Sequence, residues 1–286
     1  MKFTKMSAYG NDYVYIETFT QTINYPEKWA RFVSDRHFGI GSDGMILLCP
    51  SDKAAFKMRV FNPDGSEAEM CGNALRSSAK LFYTNGFTKE KSFTVETLGG
   101  IKNITLEVAD NEVVNITANV GAPILDYTNI PVTIFNNKNR LINYPVEIYD
   151  RTFELTAVSM GNPHCAIYCP DVKTLDLKKY GSAIENLDIF PEKTNVEFYD
   201  VIDRNTLFLR TWERNCGETL ACGTGCCVST ISAYLSGRCN NKTRVIQLGG
   251  IIEIEYNIPK NEIIMTGKSE IIFEGQIDDQ LIRGGI

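Results

Sequence analysis

Glu69-Met70-Cys71-Gly72-Asn73-Ala74 and Leu220-Ala221-Cys222-Gly223-Thr224-Gly225 read as two copies of one motif. The cysteines are 222 − 71 = 151 positions apart. The same shift pairs Gly10-Asn11 with Gly161-Asn162, Glu67 with Glu218, Tyr83 with Tyr234 and Gly86 with Gly237. A shift of 150 pairs Leu98-Gly99-Gly100-Ile101 with Leu248-Gly249-Gly250-Ile251 and Asn111-Glu112 with Asn261-Glu262. Matches in this order across both halves define an internal duplication, with a period too long for a solenoid.

Each half therefore folds as one domain. The first spans 1–120 and carries Cys71; the second spans 121–286 and carries Cys222, with its last residues expected to pack back on the first. The stretch 121–150, with Pro123, Pro131 and Asn136-Asn137, has no partner in the first half and reads as a linker or an exchanged strand. Ile104, Leu106 and Val108 alternate with polar residues, as a half-buried strand requires. Asp110-Asn111 supplies a turn into a strand from Val113 to Val120. Ile252, Ile254, Tyr256 and Ile258 repeat the alternation. One helix is expected per half. Leu75, Ala79 and Phe82 share a face before the stop at Asn85-Gly86, and the second helix runs from Gly223 to Leu235. The expected fold is α+β: two homologous domains, each a mostly antiparallel sheet or barrel around a central helix.

The bulk composition narrows the function. The chain has 286 residues, enough for two cores, and its 43% hydrophobic and 22% charged content suits a globular protein. A net charge of −6 argues against a nucleic-acid partner. No apolar run spans a bilayer, and the N-terminus lacks a signal-peptide core, so no membrane association and a cytoplasmic location are expected. Nine cysteines without a secretion signal are expected as free thiols. With two histidines and no Cys-x-x-Cys pair around Cys216, Cys222, Cys226 and Cys227, no metal site is expected.

Both duplicated cysteines stand immediately before a helix. There the first-turn N–H groups lack partners and the macrodipole is positive, so a lowered thiol pKa is expected. Gly72-Asn73 and Gly223-Thr224 leave backbone N–H groups open to a carboxylate. Two such units facing each other would place a sulfur on each side of a carbon beside that carboxylate. A thiolate removing a proton from one face and a thiol returning one to the other is amino-acid racemisation. Carboxylate-directed dipoles would stabilise the carbanion, so no cofactor is expected. Cys49, Cys165, Cys169, Cys227 and Cys239 read instead as small buried hydrophobes, and His37 as structural. A silent amino-acid-binding module, and a thiol redox or metal protein, are the readings from other classes.

The motifs resemble diaminopimelate epimerase over nearly the whole chain. They are Met6-Ser7-Ala8-Tyr9-Gly10-Asn11-Asp12, Gly39-Ile40-Gly41-Ser42-Asp43-Gly44, Phe61-Asn62-Pro63-Asp64-Gly65-Ser66-Glu67-Ala68-Glu69-Met70-Cys71-Gly72-Asn73, Gly161-Asn162-Pro163-His164, Thr194-Asn195-Val196-Glu197-Phe198 and Trp212-Glu213-Arg214 through Gly225. The resemblance implies conversion of LL-2,6-diaminopimelate to its meso form, on the route to lysine and peptidoglycan, by a homodimer. It implies Cys71 and Cys222 as the acid/base groups, with His164 and Glu213 tuning them. Gly72, Asn73, Gly223 and Thr224 would hold the reacting carboxylate. Asn11, Asn62, Asn162 and Asn195 would bind the amino and carboxylate groups, with Glu213 beside them, and Arg214 would clamp the distal carboxylate. Taken alone, the four asparagines also suit turns. The sequence departs from the family pattern at Ala74, Ser77-Ser78 and Asn215-Cys216. These changes bear on substrate choice and leave a racemase of another amino acid as the nearest alternative.

Overall fold

The computed structural model describes residues 1–134 and 139–278. The chain forms two compact units: Met1–Asn119 with the chain from Thr266 onward, and Val120–Met265.

The first repeat runs through β1 (Lys2–Ala8), β2 (Asn11–Glu17), α1 (Pro26–Ser34), β3 (Met45–Cys49), β4 (Phe56–Phe61), β5 (Glu67–Ala68), α2 (Gly72–Thr84), β6 (Ser92–Thr97), β7 (Gly100–Ala109) and β8 (Glu112–Gly121). The second runs through β9 (Tyr144–Ile148), β10 (Arg151–Ser159), β11 (Pro163–Tyr168), α3 (Leu177–Glu185), β12 (Asn195–Asp203), β13 (Thr206–Glu213), β14 (Gly217–Thr219), α4 (Gly223–Leu235), β15 (Lys242–Gln247), β16 (Gly250–Asn257) and β17 (Glu262–Gly267). A last strand, β18 (Glu270–Gln276), belongs to the first unit.

Pairing is the same in both units. In the first, β1 is antiparallel to β2, β2 parallel to β3, β3 antiparallel to β4, β4 parallel to β6, and β6 antiparallel to β7. In the second, β10, β11, β12, β13, β15 and β16 repeat that series in order. The edge differs in origin: β1 pairs with β18 from the end of the chain, whereas β10 pairs with β9 just before it. The fold class is the α+β duplication the sequence indicates.

Helix content exceeds the sequence reading. Among the described residues each half holds two helices where one was expected, and the added pair obeys the 151 shift: α1 Pro26–Ser34 maps onto α3 Leu177–Glu185. Their buried positions correspond, Trp29, Ala30 and Val33 with Tyr180, Gly181 and Ile184. Neither helix is long, though each has a local start signal, Pro26 in the first turn of α1 and Asp176 as the side-chain cap of α3. Burial against the sheet holds them. Met45 and Leu47 share a core with α1, while the alternate residues Ile46 and Leu48 are also fully buried. Both faces of β3 are therefore covered, which explains its unbroken apolar run.

Helices α2 and α4 are the inner ones. Strands β1, β2, β3, β4 and β7 contact α2; β10 to β13, β15 and β16 contact α4. Phe82 of α2 packs 4.6 Å from Phe56, centroid to centroid, and 5.6 Å from Phe87. Burying such a ring contributes roughly 1.5–3 kcal/mol. Each helix ends before a glycine at positive φ, +75° at Gly86 and +70° at Gly237, where a side chain would be strained. Asp110 and Asn111 both take positive φ, so the expected turn is a hairpin that joins β7 to β8. The alternation in β16 stops at Asn257: Ile258 opens a short 3-10 turn and is 43% exposed, contrary to the sequence reading.

The stretch after residue 120 packs within the second unit. Ile124 bridges Ser159, and Tyr127, Ile130, Val132 and Leu141 enter the core formed with α3 and β10 to β12. Asn136-Asn137, read as part of that stretch, lie outside the described residues. No helix among the described residues is long and apolar enough to cross a membrane.

Candidate functional site

Each unit presents a cysteine as the N-cap of its inner helix. Cys71 caps α2 with φ −136° and ψ 119°, and Cys222 caps α4 with φ −123° and ψ 107°. These extended conformations turn the chain from a short strand into the helix, leaving the sulfur beside first-turn N–H groups. Gly225 N–H donates to Cys222 Sγ at 3.4 Å.

Around Cys71 the first unit gathers Asn11, Tyr13 and Asn73. The Cys71 thiol donates to Asn11 Oδ1 at 3.7 Å, and the Tyr13 hydroxyl donates to Cys71 Sγ at 3.8 Å. Asn73 Nδ2 donates to the same Asn11 oxygen at 3.2 Å. Arg76, one turn into α2 and fully buried, donates to Asn73 Oδ1 at 2.6 Å and to the Gly72 carbonyl at 3.1 Å. Asn62 stands apart from this group in its interactions. Its Nδ2 donates to Ser66 Oγ at 2.9 Å within the Asn62–Ser66 turn. Ala74 is fully buried in the first turn, and Ser77 donates to the Asn73 carbonyl.

In the second unit Cys222 is buried, its N–H donating to Gln247 Oε1 at 3.1 Å and its sulfur 3.5 Å from Thr224 Oγ1. Nearby, the His164 ring lies between Glu197 and Asn162: Nδ1 is 2.8 Å from Glu197 Oε1 and Nε2 is 3.0 Å from Asn162 Oδ1. Asn195 Nδ2 donates to the Pro163 carbonyl, and its Oδ1 accepts from Arg214 N–H at 3.0 Å. This clamps the β13 end to the start of β12. Thr219 Oγ1 donates to Glu213 Oε1 at 2.6 Å. The Arg214 guanidinium donates to the Glu192 carbonyl at 3.2 Å. Asn215 N–H donates to Glu185, a buried carboxylate that also accepts from Trp212 Nε1.

Both thiols sit above their ordinary pKa, the reverse of the lowering expected from helix position alone. Burial pushes Cys71 up; the Ala74 and Asn73 N–H groups, Tyr13 and the Arg76 charge oppose it. Burial pushes Cys222 well up, and the carboxylates of Glu213 and Glu197 push it further. Desolvation of the thiolate outweighs the helix terminus. The electrostatic surroundings differ in sign, since Cys71 has a cation near it and Cys222 has two anions.

Sequence reasoning assigned no role to Tyr13 or Glu197. The signal for Tyr13 was present: 164 − 13 = 151, so Tyr13 is the counterpart of His164. Glu197 maps onto Ile46, and duplication carries no signal for a residue needed in one copy only. All nine cysteines are free, and no group of three or more His, Cys, Asp or Glu among the described residues is arranged to hold a metal ion.

The duplicated sheet-and-helix fold is shared with solved structures of other proteins. A probable proline racemase from Agrobacterium radiobacter K84 matches with a TM-score of 0.71 over 97% of this chain and 93% of its own, at 14% identity. A phenazine biosynthesis protein of the PhzF family from Bacillus anthracis matches with a TM-score of 0.67 over 97% of this chain and 99% of its own, at 16% identity. At such identities the likeness shows the fold alone. The chain belongs to the diaminopimelate epimerase family, a family of isomerases, whose model matches residues 3–125 and 156–272. It is 48% identical over 278 residues to the diaminopimelate epimerase of Acetivibrio thermocellus, covering 97% of this chain and 99% of that one. It is 47% identical to that of Methanococcus maripaludis strain C6, covering 97% of this chain and 100% of the relative.

Proposed function

We propose that this enzyme interconverts LL- and meso-2,6-diaminopimelate without a cofactor, with Cys71 and Cys222 as its acid/base pair. The observation that carries the reading is the duplicated cysteine N-cap, present on both inner helices of a chain from this family.

In the forward direction a Cys71 thiolate takes the α-proton, and the C–H electron pair passes into the carboxylate π-system. Cys222 then delivers its thiol proton to the opposite face. Cys71 ends as thiol and Cys222 as thiolate, the state that runs the reverse reaction. The signs around the two sulfurs support this assignment of the resting proton. First-turn N–H groups at Gly72, Asn73, Gly223 and Thr224 offer donors to the reacting carboxylate. Asn11, Asn62, Asn162 and Asn195 bind the amino and carboxylate groups, with Glu213 beside them. Arg214 pairs with the distal carboxylate, and His164 and Glu213 set the protonation of the thiols. The working form is a cytoplasmic homodimer.

The test is α-deuterium incorporation from deuterated water across LL-diaminopimelate, lysine, histidine and proline. Fastest exchange and inversion on diaminopimelate are expected. Preference for a substrate with one carboxylate would transfer the chain to another racemase activity, and binding without exchange would make it a silent module.

A further inference from the structure

Beneath Cys71 the polar side chains form a line with a charge at each end. Asp43 Oδ2 accepts from Asn11 Nδ2 at 2.9 Å and from Asp12 N–H at 3.1 Å. Asn11 Oδ1 accepts from Asn73 Nδ2 at 3.2 Å and from the Cys71 thiol at 3.7 Å. Asn73 Oδ1 accepts from Arg76 at 2.6 Å. Each amide thus hands its NH2 toward the anion and its oxygen toward the cation. Rotating Asn11 by half a turn would set its oxygen against the Asp43 carboxylate and its NH2 against that of Asn73. Rotating Asn73 would set its NH2 against the guanidinium. Either flip exchanges two hydrogen bonds for two contacts of like sign.

The two ends are themselves anchored. Arg36 lies 3.0 Å from Asp43 Oδ1, and Arg76 is fully buried, with a second bond to the Gly72 carbonyl and its guanidinium 5.8 Å from the centre of the Tyr9 ring. Among the described residues the second repeat has no such line. Under the 151 shift Asp43 corresponds to Thr194 and Arg76 to Cys227 (194 − 43 = 151, 227 − 76 = 151). Parallel register supports that correspondence, since Val14 faces Met45 where Cys165 faces Val196.

We infer that Asp43 and Arg76 are positioning residues for Cys71: their opposite charges lock the Asn11 and Asn73 amides in one sense, so that the Asn11 oxygen faces the sulfur. The line gives the first repeat alone a fixed acceptor for the thiol proton and a buried cation for the thiolate. It rests on the proposed function for the role of Cys71 and deepens it by distinguishing the two thiols. The other titratable groups facing Cys71 are the hydroxyls of Tyr13 and Tyr15 on β2. Arg76 opposes the upward push of burial on the Cys71 thiol.

The test is peptide-resolved alkylation of the intact protein with iodoacetamide from pH 6 to 10 in Arg76→Gln, Asp43→Asn and the double variant, with exposed Cys216 as internal control. Arg76→Gln is expected to slow Cys71 alkylation at a given pH by about tenfold, the effect of one unit in thiol pKa. Asp43→Asn is expected to speed it, since Asn11 is then free to turn its NH2 toward the thiolate. The double variant should fall short of the product of the two effects. In the epimerisation assay Arg76→Gln should lower kcat and move the rise of its pH profile to higher pH. Loss of fold would expose Cys71 and speed alkylation in both variants, so a shift of both in the same direction overturns the inference. So does an unchanged Cys71 rate in Asp43→Asn, whose part-exposed site keeps the test open if Arg76→Gln does not fold. Absence of epimerisation by the parent protein would refute the proposed function, while the alkylation rates still report on the amide line.

Discussion

His164 Nδ1 lies 2.8 Å from Glu197 Oε1, with both side chains wholly shut off from solvent. A buried carboxylate at this distance holds Nδ1 as the protonated nitrogen and leaves Nε2 to Asn162. Glu197 also raises the nearby Cys222 thiol. Glu197→Leu should therefore act twice. It strands the imidazole N–H, at a cost of about 1–3 kcal/mol in urea unfolding, and it lowers the Cys222 thiol pKa. A variant with unchanged midpoint and unchanged Cys222 alkylation would rule this coupling out.

Loss of either thiol should remove inversion. Cys71→Ala and Cys222→Ala are each expected to lower kcat by about 10²–10⁴-fold, the usual range for one acid or base group. Inversion at parental rate in either variant contradicts a two-base reaction. Because burial raises both thiols, kcat/KM should climb as pH rises from neutral through the ordinary thiol range. The apparent constant belongs to the pair.

Gly225 leaves only tight space for a side chain. A Cβ there would stand 3.0 Å from Glu197 Oε1 and 3.3 Å from Cys222 Cβ, both of them buried. Gly225→Ala should destabilise by about 1–3 kcal/mol through overpacking and should depress kcat by displacing the sulfur. A crystal structure of the variant with Cys222 unmoved and full activity would show that the pocket yields elsewhere.

Stability should fall in alkali. Cys169 and Cys239 are buried and pushed up to about 12. In the unfolded chain thiols ionise near about 8.5. Between those values the unfolded state binds fewer protons, so stability is full below the lower one and is lost as pH rises toward the upper. The slope per thiol is about 1.4 kcal/mol per pH unit. Cys169→Ala should flatten the decline of thermal midpoint above pH 9; an identical decline would assign it to other groups.

The duplication alone made the fold class legible, because a repeated motif with one period constrains topology without any contact being known. It also marked the boundaries of α2 and α4, since a cysteine cap and a glycine stop are local signals. The paired helices α1 and α3 have start signals in Pro26 and Asp176, but nine residues hold a helix only when buried against a sheet formed by distant chain. The origin of β18, taken from the far end of the sequence to border β1, likewise follows from pairing rather than propensity.

Residue types and spacing by themselves determined that two cysteines open two equivalent helices. Tertiary structure decided what surrounds each sulfur: a cation and two oriented amides at Cys71, two carboxylates at Cys222. Helix-terminus polarity is a local property and can be read from a motif. Desolvation and charge proximity depend on residues that folding brings in, such as Asn11, 60 positions from Cys71, and burial reversed the direction in which the motif alone would move both thiols.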